Sequence, residues 1–458
     1  MHRPTAVPRA ALVGLAAALA LMALAVAVPS MLDWNVRVNS WPPLHAEWDP
    51  RVGGGTIPAV LLALWGGWTA VALSARLSWA GLLVLSFVAG LAWMLALAWV
   101  DGPDGIGVIL DTPYEYLDTA RATTDIGARL EEYVGRIAYD AYPSNWPVHI
   151  AGHPPGALLF FVLLVRLGLG DPLAAGLVVT VIAATTAPAV LCTLRALGAE
   201  RAARAAAPFL FLGPAAIWQS VSADAMFAAV GAWGLAALAT SATRSSTRAT
   251  VWWAVVAGLL LGYAVMMSYG LPLLGILSLT ILWLARRWLP LIVAVAAATA
   301  VLAAFAAGGF LYWEALPELR DRYYEGVGGR RPPAYWMWGN IAAFLFSAGP
   351  VAGAGLAQLV ARRRDRPALR DEPPAPGENR APRTSEQVAW AVAVAGWAMV
   401  LLADASQLSR AEVERIWLPF VPWCLVACAL LPPPWRRPAL AVQLVTALFL
   451  QHALFTGW

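Results

Sequence analysis

Runs of apolar residues long enough to cross a membrane recur from one end of the chain to the other. They lie at 11–30, 57–75, 79–100, 171–194, 205–221, 224–241, 251–268, 271–285, 288–311, 339–360, 388–404, 415–431 and 438–456. A helix rises about 1.5 Å per residue, so about 20 apolar residues cross the roughly 30 Å hydrocarbon layer. The pattern predicts an all-α protein, a polytopic transmembrane helical bundle of about 13 spans, folded as a single membrane-embedded domain over 1–458. The first run follows Arg3 and Arg9, has no convincing small-x-small cleavage site and is trailed by further spans. It reads as a retained helix rather than a signal peptide.

The polar segments between the runs fall into two kinds. The first kind is rich in arginine: Arg76, then Arg195, Arg201 and Arg204, then Arg244 and Arg248, then Arg286 and Arg287. Arg362, Arg363, Arg364, Arg366, Arg370, Arg380 and Arg383 follow, and lastly Arg436 and Arg437. Cytoplasmic loops carry the excess of positive charge, so the N-terminus is expected inside and the C-terminus outside. The segment 156–169 decides this parity. Its apolar stretch of about 14 residues is short for a span, and counting it as one would turn every later arginine loop outward. It is therefore expected to be a juxtamembrane or re-entrant helix on the outer side. The stretch 362–387 is rich in Arg, Pro and Glu and reads as a disordered cytoplasmic linker.

The second kind of segment comprises 31–56, 101–170, 312–338 and 405–415, which are longer or rich in Trp, Tyr, acidic residues and Pro. Functional surface is expected there, on the extracytoplasmic face of the plasma membrane, with 101–170 as an outer loop bearing juxtamembrane helices.

Composition narrows the classes. The chain is 60% hydrophobic and 13% charged, about half the charge fraction of a soluble domain. Every one of the 31 Lys+Arg positions is arginine, which with abundant Ala, Gly and Pro suggests a high-GC, actinobacterial genome. The net charge of +4 resides in short loops, which reads as topology and not as nucleic-acid binding. Cys192, Cys424 and Cys428 lie in apolar segments and imply neither a disulfide framework nor a metal site. No Walker A sequence and no HExxH motif is present.

The candidate chemistry lies in the outer segments. Asp33, Trp34, Trp41, His45, Glu47, Trp48 and Asp49 form a first group, whose tryptophans fit an interfacial belt better than a carbohydrate platform. The loop 101–155 opens with Leu110-Asp111-Thr112-Pro113-Tyr114-Glu115-Tyr116-Leu117-Asp118, continues with helical spacing through Tyr139, and closes on His153-Pro154-Pro155. A carboxylate here, held by Arg121 or Arg136, could serve as a general base; alternatively Asp111 simply caps a helix. Asp224 at the next outer turn is either an N-cap or a second acid facing the same cavity. Arg320, Arg331 and their aromatic neighbours suit phosphate and sugar recognition. Ser409-Arg410-Ala411-Glu412-Val413-Glu414-Arg415-Ile416-Trp417-Leu418-Pro419 packs more charge at a membrane mouth than snorkelling requires.

The order and sidedness of these motifs resemble the GT-C class of membrane glycosyltransferases. Asp111 with Tyr114, Tyr116 and Leu117 resembles the acidic opening of that class, His153-Pro154-Pro155 its His-Pro-Pro element, and Asp224 its later aspartate. The Glu414–Phe420 segment is similar to actinobacterial members, the mycobacterial methylthioxylose transferases nearest. The resemblance covers roughly 100–230 and 405–423. It departs from the class in placing the acidic loop after the third span, and in Thr112 where many relatives have a second acid. Asp118, Glu115 and Asp33 therefore stand beside Asp111 as candidates for the base.

What the resemblance implies is transfer of a sugar from a polyprenyl-phosphate donor to a cell-envelope glycan or lipid at the outer face. Asp111 and Asp224 would be catalytic. His153, Arg415, Arg320 and Arg331 would hold the donor phosphate, and Tyr114, Tyr116, Glu412, Glu414 and Trp417 would line the substrate site. No cofactor is implied beyond the lipid-linked sugar, and assistance by a divalent cation is left open. The rival readings are a lipid-linked glycan transporter or flippase, and a non-catalytic scaffold. The near absence of ionisable residues inside the spans counts against an ion-coupled carrier. A scaffold predicts that the outer acids scatter.

Overall fold

The computed structural model describes residues 6–364 and 383–457. They are almost wholly helical; two residues of strand, Glu47–Trp48, pair antiparallel with Leu454–Phe455. Among the described residues, eight helices are long and apolar enough to cross a membrane, and nine if the bent pair Pro333–Ala348 and Val351–Arg362 makes one crossing. The chain is a multi-pass membrane protein. Ile57, Leu64, Trp68 and Ile292 are each 60% or more exposed on the helix exteriors, which suits hydrocarbon and not water.

The eight fall on the expected runs at 11–30, 57–75, 79–100, 171–194, 224–241, 251–268, 288–311 and 388–404. The pair at 339–360 bends by 107° where Gly349 adopts φ +79 ahead of Pro350. The other four expected spans do not form uninterrupted apolar helices. The run at 205–221 stops after Phe211, beyond the internal Pro208, and resumes only as the single turn Ala216–Gln219. Pro272 gives the run at 271–285 a 3-10 start and a helix of only 12 residues, Leu274–Ala285. The run at 415–431 breaks around Pro419 and Pro422 into Val413–Ile416, Val421–Leu425 and a 3-10 turn. Pro433–Ala453 is long enough but carries Arg436, Arg437, Gln443, Gln451 and His452. Proline lacks the amide donor and its ring strikes the preceding turn, so apolar composition alone overstates helix continuity.

Small residues set the closest helix contacts. A Cβ at Gly258 would lie 2.2 Å from the Ala294 carbonyl, and one at Gly262 would lie 2.8 Å from Ala298 Cα. Gly14 and Gly353 meet the same way, each within 2.6 Å of the other's carbonyl oxygen once a Cβ is added. In lipid, where burial of apolar surface gives no drive between helices, such backbone proximity is what holds them.

The helix ends separate into two poles. At one pole Arg204 donates to the carbonyls of Ser74 and Leu77 at 3.1 and 2.8 Å, and Arg195 lies over Trp79. There too Arg287 donates to Arg244, and Arg362 donates to Leu430 at 2.7 Å and pairs with Glu386. At the other pole sit 31–56, 101–170, 312–338 and 405–420. The helix Pro155–Arg166, 12 residues long, has both ends tied to this second pole. Gly156 N donates to Met266 O at 2.8 Å and Arg166 donates to Thr124 O at 3.2 Å.

Two local expectations change. The helical run foreseen through Tyr139 is instead Leu117–Arg121, Ile126–Glu131 and a 3-10 turn at Val134–Arg136. Asp125 interrupts it by capping the second helix, its carboxylate accepting from Ala128 N at 3.2 Å. The linker foreseen at 362–387 lies outside the described residues over 365–382. On its far side Thr384 and Gln387 form a capping box that starts Ser385–Ser406.

Candidate functional site

Five segments of the second pole bring ionisable side chains into one connected cluster. Ser222 caps Ala223–Thr243, its hydroxyl accepting from Ala225 N at 3.3 Å. Asp224, in the first turn, is thereby left free of capping and turns inward. Its Oδ2 accepts from Arg415 Nη1 at 2.5 Å, and the two side chains are 1% and 4% exposed. Arg415 comes from the single turn Val413–Ile416, which Pro419 prevents from lengthening. Its second nitrogen reaches Glu412 Oε2 and His149 Nε2, each at 3.4 Å.

The loop 101–155 supplies the next tier. His149 and His153 lie four residues apart at the turn Val148–Ala151. Buried Glu115 holds His149 Nδ1 at 2.6 Å. Burial opposes ionisation of Glu115, but the adjoining His149 ring wins and lowers its pKa below the usual carboxylate value. His153 Nδ1 lies 2.8 Å from the His149 carbonyl and 2.9 Å from the Tyr116 hydroxyl. A carbonyl can only accept, which assigns the proton to Nδ1 and leaves Nε2 with its lone pair. Burial lowers the His153 pKa, against the pull of Asp224, so the neutral ring is favoured. His153 Nε2 then faces Asp224 Oδ1 at 3.9 Å. Both are acceptors, and Asp224 Oδ1 has no hydrogen-bond partner among the described residues. A hydroxyl lying beside the two would find an acceptor in either of them.

Arg331 closes the cluster from the far side. It donates to the carbonyls of Arg410 and Arg37, lies 2.6 Å from His45 Nε2, and pairs with Glu412 at 3.3 Å. Burial raises the Glu412 pKa, but Arg331 and Arg415 together outweigh it and hold the carboxyl at about 2. Glu414 is the converse: burial pushes it up to about 7, and its Oε2 is unpartnered among the described residues.

Of the residues singled out in the sequence, the cluster gathers His45, Glu115, Tyr116, His153, Asp224, Arg331, Glu412 and Arg415. Glu414 and Trp417 are buried on the same turn segment, Trp417 packing 6.2 Å from Phe344. Others stand elsewhere. Asp111 ends a 3-10 turn at the surface, where it pairs with Arg121 at 2.6 Å and shares that arginine with Asp118. Arg320 is exposed on Tyr312–Glu325. Its neighbour Arg322 is the buried one, donating to Ile137 O and to Trp146 O at 2.5 and 2.8 Å. Tyr114 is 61% exposed and contributes its carbonyl, which accepts from His149 N at 3.2 Å. His153 lies in the cluster with its Nε2 toward Asp224. His149 went unremarked in the sequence, although its four-residue spacing from His153 was a readable sign of a shared helical face.

No protein-family model, curated protein or solved structure matches this chain.

Among the described residues, no group of three or more His, Cys, Asp and Glu side chains converges as a metal site would need. The arrangement offers a buried anion-binding pair, Arg331 and Arg415, beside an acceptor pair, Asp224 and His153.

Proposed function

We propose that the chain is a membrane glycosyltransferase that moves a sugar from a polyprenyl-phosphate donor to a hydroxyl of a cell-envelope glycan or glycolipid. The single observation that carries this reading is the acceptor pair Asp224 Oδ1 and His153 Nε2, 3.9 Å apart, set directly against Arg415. A hydroxyl seated between the acceptors would give up its proton to one of them as its oxygen attacks the anomeric carbon. The bond from that carbon to the phosphate oxygen breaks, and the lipid phosphate leaves with the electron pair. Arg415 and Arg331 would take up the charge on the departing phosphate. The base is thus Asp224 with His153, in place of Asp111.

Convergence of side chains from five segments argues against a scaffold, in which these acids have no reason to meet. The short loops of the opposite pole carry arginine with few acids, whereas the arginines of the site end lie among many Asp and Glu, which supports a cytoplasmic assignment for that pole and an extracytoplasmic one for the site. On this reading the shorter and broken elements also cross, which makes thirteen passes in a GT-C-like bundle. The polyprenyl tail would lie along the apolar helix exteriors.

The test is transfer by purified protein in lipid nanodiscs, given a panel of radiolabelled polyprenyl-phosphate sugars and cell-envelope acceptors. Labelled product from the wild type and none from Asp224→Asn is the expected result. A wild type inert with every donor, while binding polyprenyl phosphate no better than neutral polyprenol, would overturn the reading.

A further inference from the structure

Glu412 occupies an unusual position in the cluster. It and Ala411 are consecutive non-glycine residues with left-handed backbones, φ +61 and +72. Side chains disfavour this conformation, which persists only where the surroundings impose it. Here they do. Ala411 N donates to Asn340 Oδ1 at 3.0 Å, and Asn340 Nδ2 donates to Ser409 O at 2.7 Å and Asp404 Oδ1 at 2.9 Å. Ala411 is buried with Val36, Tyr335 and Trp336, and Trp336 Nε1 donates to Val36 O at 3.1 Å.

The imposed backbone aims one carboxylate between two buried guanidinium groups. Glu412 spans Arg331 at 3.3 Å, Arg415 at 3.4 Å and His45 at 3.6 Å. Asp224 and Glu412 are the carboxylates paired directly with the two arginines. An incoming phosphate brings at least one further negative charge into a buried place, and like charges there repel strongly. Withdrawal of one of these two carboxylates would relieve that repulsion. Asp224 cannot readily do so, being 1% exposed and fixed in a helical turn. The Glu412 side chain is 31% exposed and has a route to solvent.

Resting on the reading of Arg331 and Arg415 as a phosphate site, we propose that Glu412 is a built-in occupant of that site, a carboxylate that holds the two arginines in place when the site is empty and swings out when the phosphate of a lipid substrate enters. The site is thus preorganised without exposing unbalanced buried cations, and ligands of low charge are refused because they cannot displace Glu412.

The test measures binding of decaprenyl phosphate and of neutral decaprenol to full-length protein in nanodiscs, for wild type, Glu412→Gln, Glu412→Ala and Arg331→Gln. The Gln variant keeps the side-chain shape and removes the charge; the Ala variant removes the occupant altogether. Both are expected to bind the phosphate about tenfold tighter than wild type or better, the size of one charged hydrogen bond, with decaprenol unchanged. Arg331→Gln is expected to weaken it. Equal phosphate affinity in wild type and both Glu412 variants, with Arg331→Gln still weakened, would overturn the occupant role and leave the phosphate site standing. No preference for phosphate over decaprenol in any variant would overturn the phosphate site and the occupant role together.

Discussion

Arg415 and Asp224 stand 191 positions apart in sequence and 2.5 Å apart in space, both almost fully buried. A buried pair of this kind is costly to break, because removing one partner strands the other charge; about 3–5 kcal/mol is typical. Removing both with residues of similar volume is far milder. Asp224→Asn is therefore expected to lower the thermal midpoint strongly and to abolish transfer. Asp224→Asn with Arg415→Met should recover much of the stability and none of the transfer. If the double variant is as unstable as the two single losses added together, the pair is not coupled in the way its geometry requires.

Asp111 is expected to behave differently. Its ion pair with Arg121 lies at the surface, each side chain 36% exposed, and such pairs contribute about 0–1 kcal/mol. Asp111→Asn should keep the thermal midpoint near wild type and retain sugar transfer. Loss of transfer in Asp111→Asn with unchanged stability would return the base to Asp111, and would mean that the loop moves when substrate binds.

The contrast between these two aspartates shows what the sequence could carry. Hydrophobic length located the eight long helices, because crossing a membrane demands a length that composition alone reveals. The same logic overcounted where Pro208, Pro272, Pro419 and Pro422 cut apolar runs into turns. Arg415, Asp224, Arg331 and Glu412 were visible as charges at membrane mouths, where each costs too much to be idle. Which of them meet was not visible, since contacts across 191 positions depend on the path of the helices. Asp111 and Asp224 look alike in sequence. Only packing shows that one faces Arg121 at the surface and the other the buried Arg415. His149 was missed, and His45, named only beside the tryptophans of an outer segment, could not be matched to Arg331, 286 positions away.

Glu414 gives the site end a pH dependence of definite sign. Burial pushes its carboxyl up to about 7 from the ordinary 4.5. A raised pKa means the folded state holds the proton more tightly. Its stabilising share is present below about pH 4.5 and is lost as pH rises through about 7. Glu414→Gln imitates the protonated form at every pH. The variant should match wild type near pH 5 and exceed it near pH 8.5, by up to roughly 3 kcal/mol. Thermal midpoints of both proteins across pH 5 to 8.5 measure this directly. A constant gap across that range would mean that Glu414 does not titrate there.

Asn340 connects fold to site without touching the ionic cluster itself. Fully buried, it satisfies Asp404 Oδ1, Ser409 O and Ala411 N at once, at 2.9, 2.7 and 3.0 Å. Asn340→Ala should cost stability twice over, by leaving the buried carboxylate of Asp404 without this donor and by releasing the 409–411 backbone. Each unsatisfied buried group costs about 1–3 kcal/mol. The two losses can be separated. Adding Asp404→Ala removes the stranded carboxylate and should restore part of the thermal midpoint. It cannot restore the clamp on Ala411, so the left-handed turn that leads into Val413–Ile416 stays loose and Arg415 loses its place in the phosphate site. Binding of decaprenyl phosphate should therefore remain impaired in the double variant although its stability has risen. Recovery of both together would show that Asn340 serves the fold alone, and that the aim of Glu412 and Arg415 is set by Val413–Ile416 and its packing.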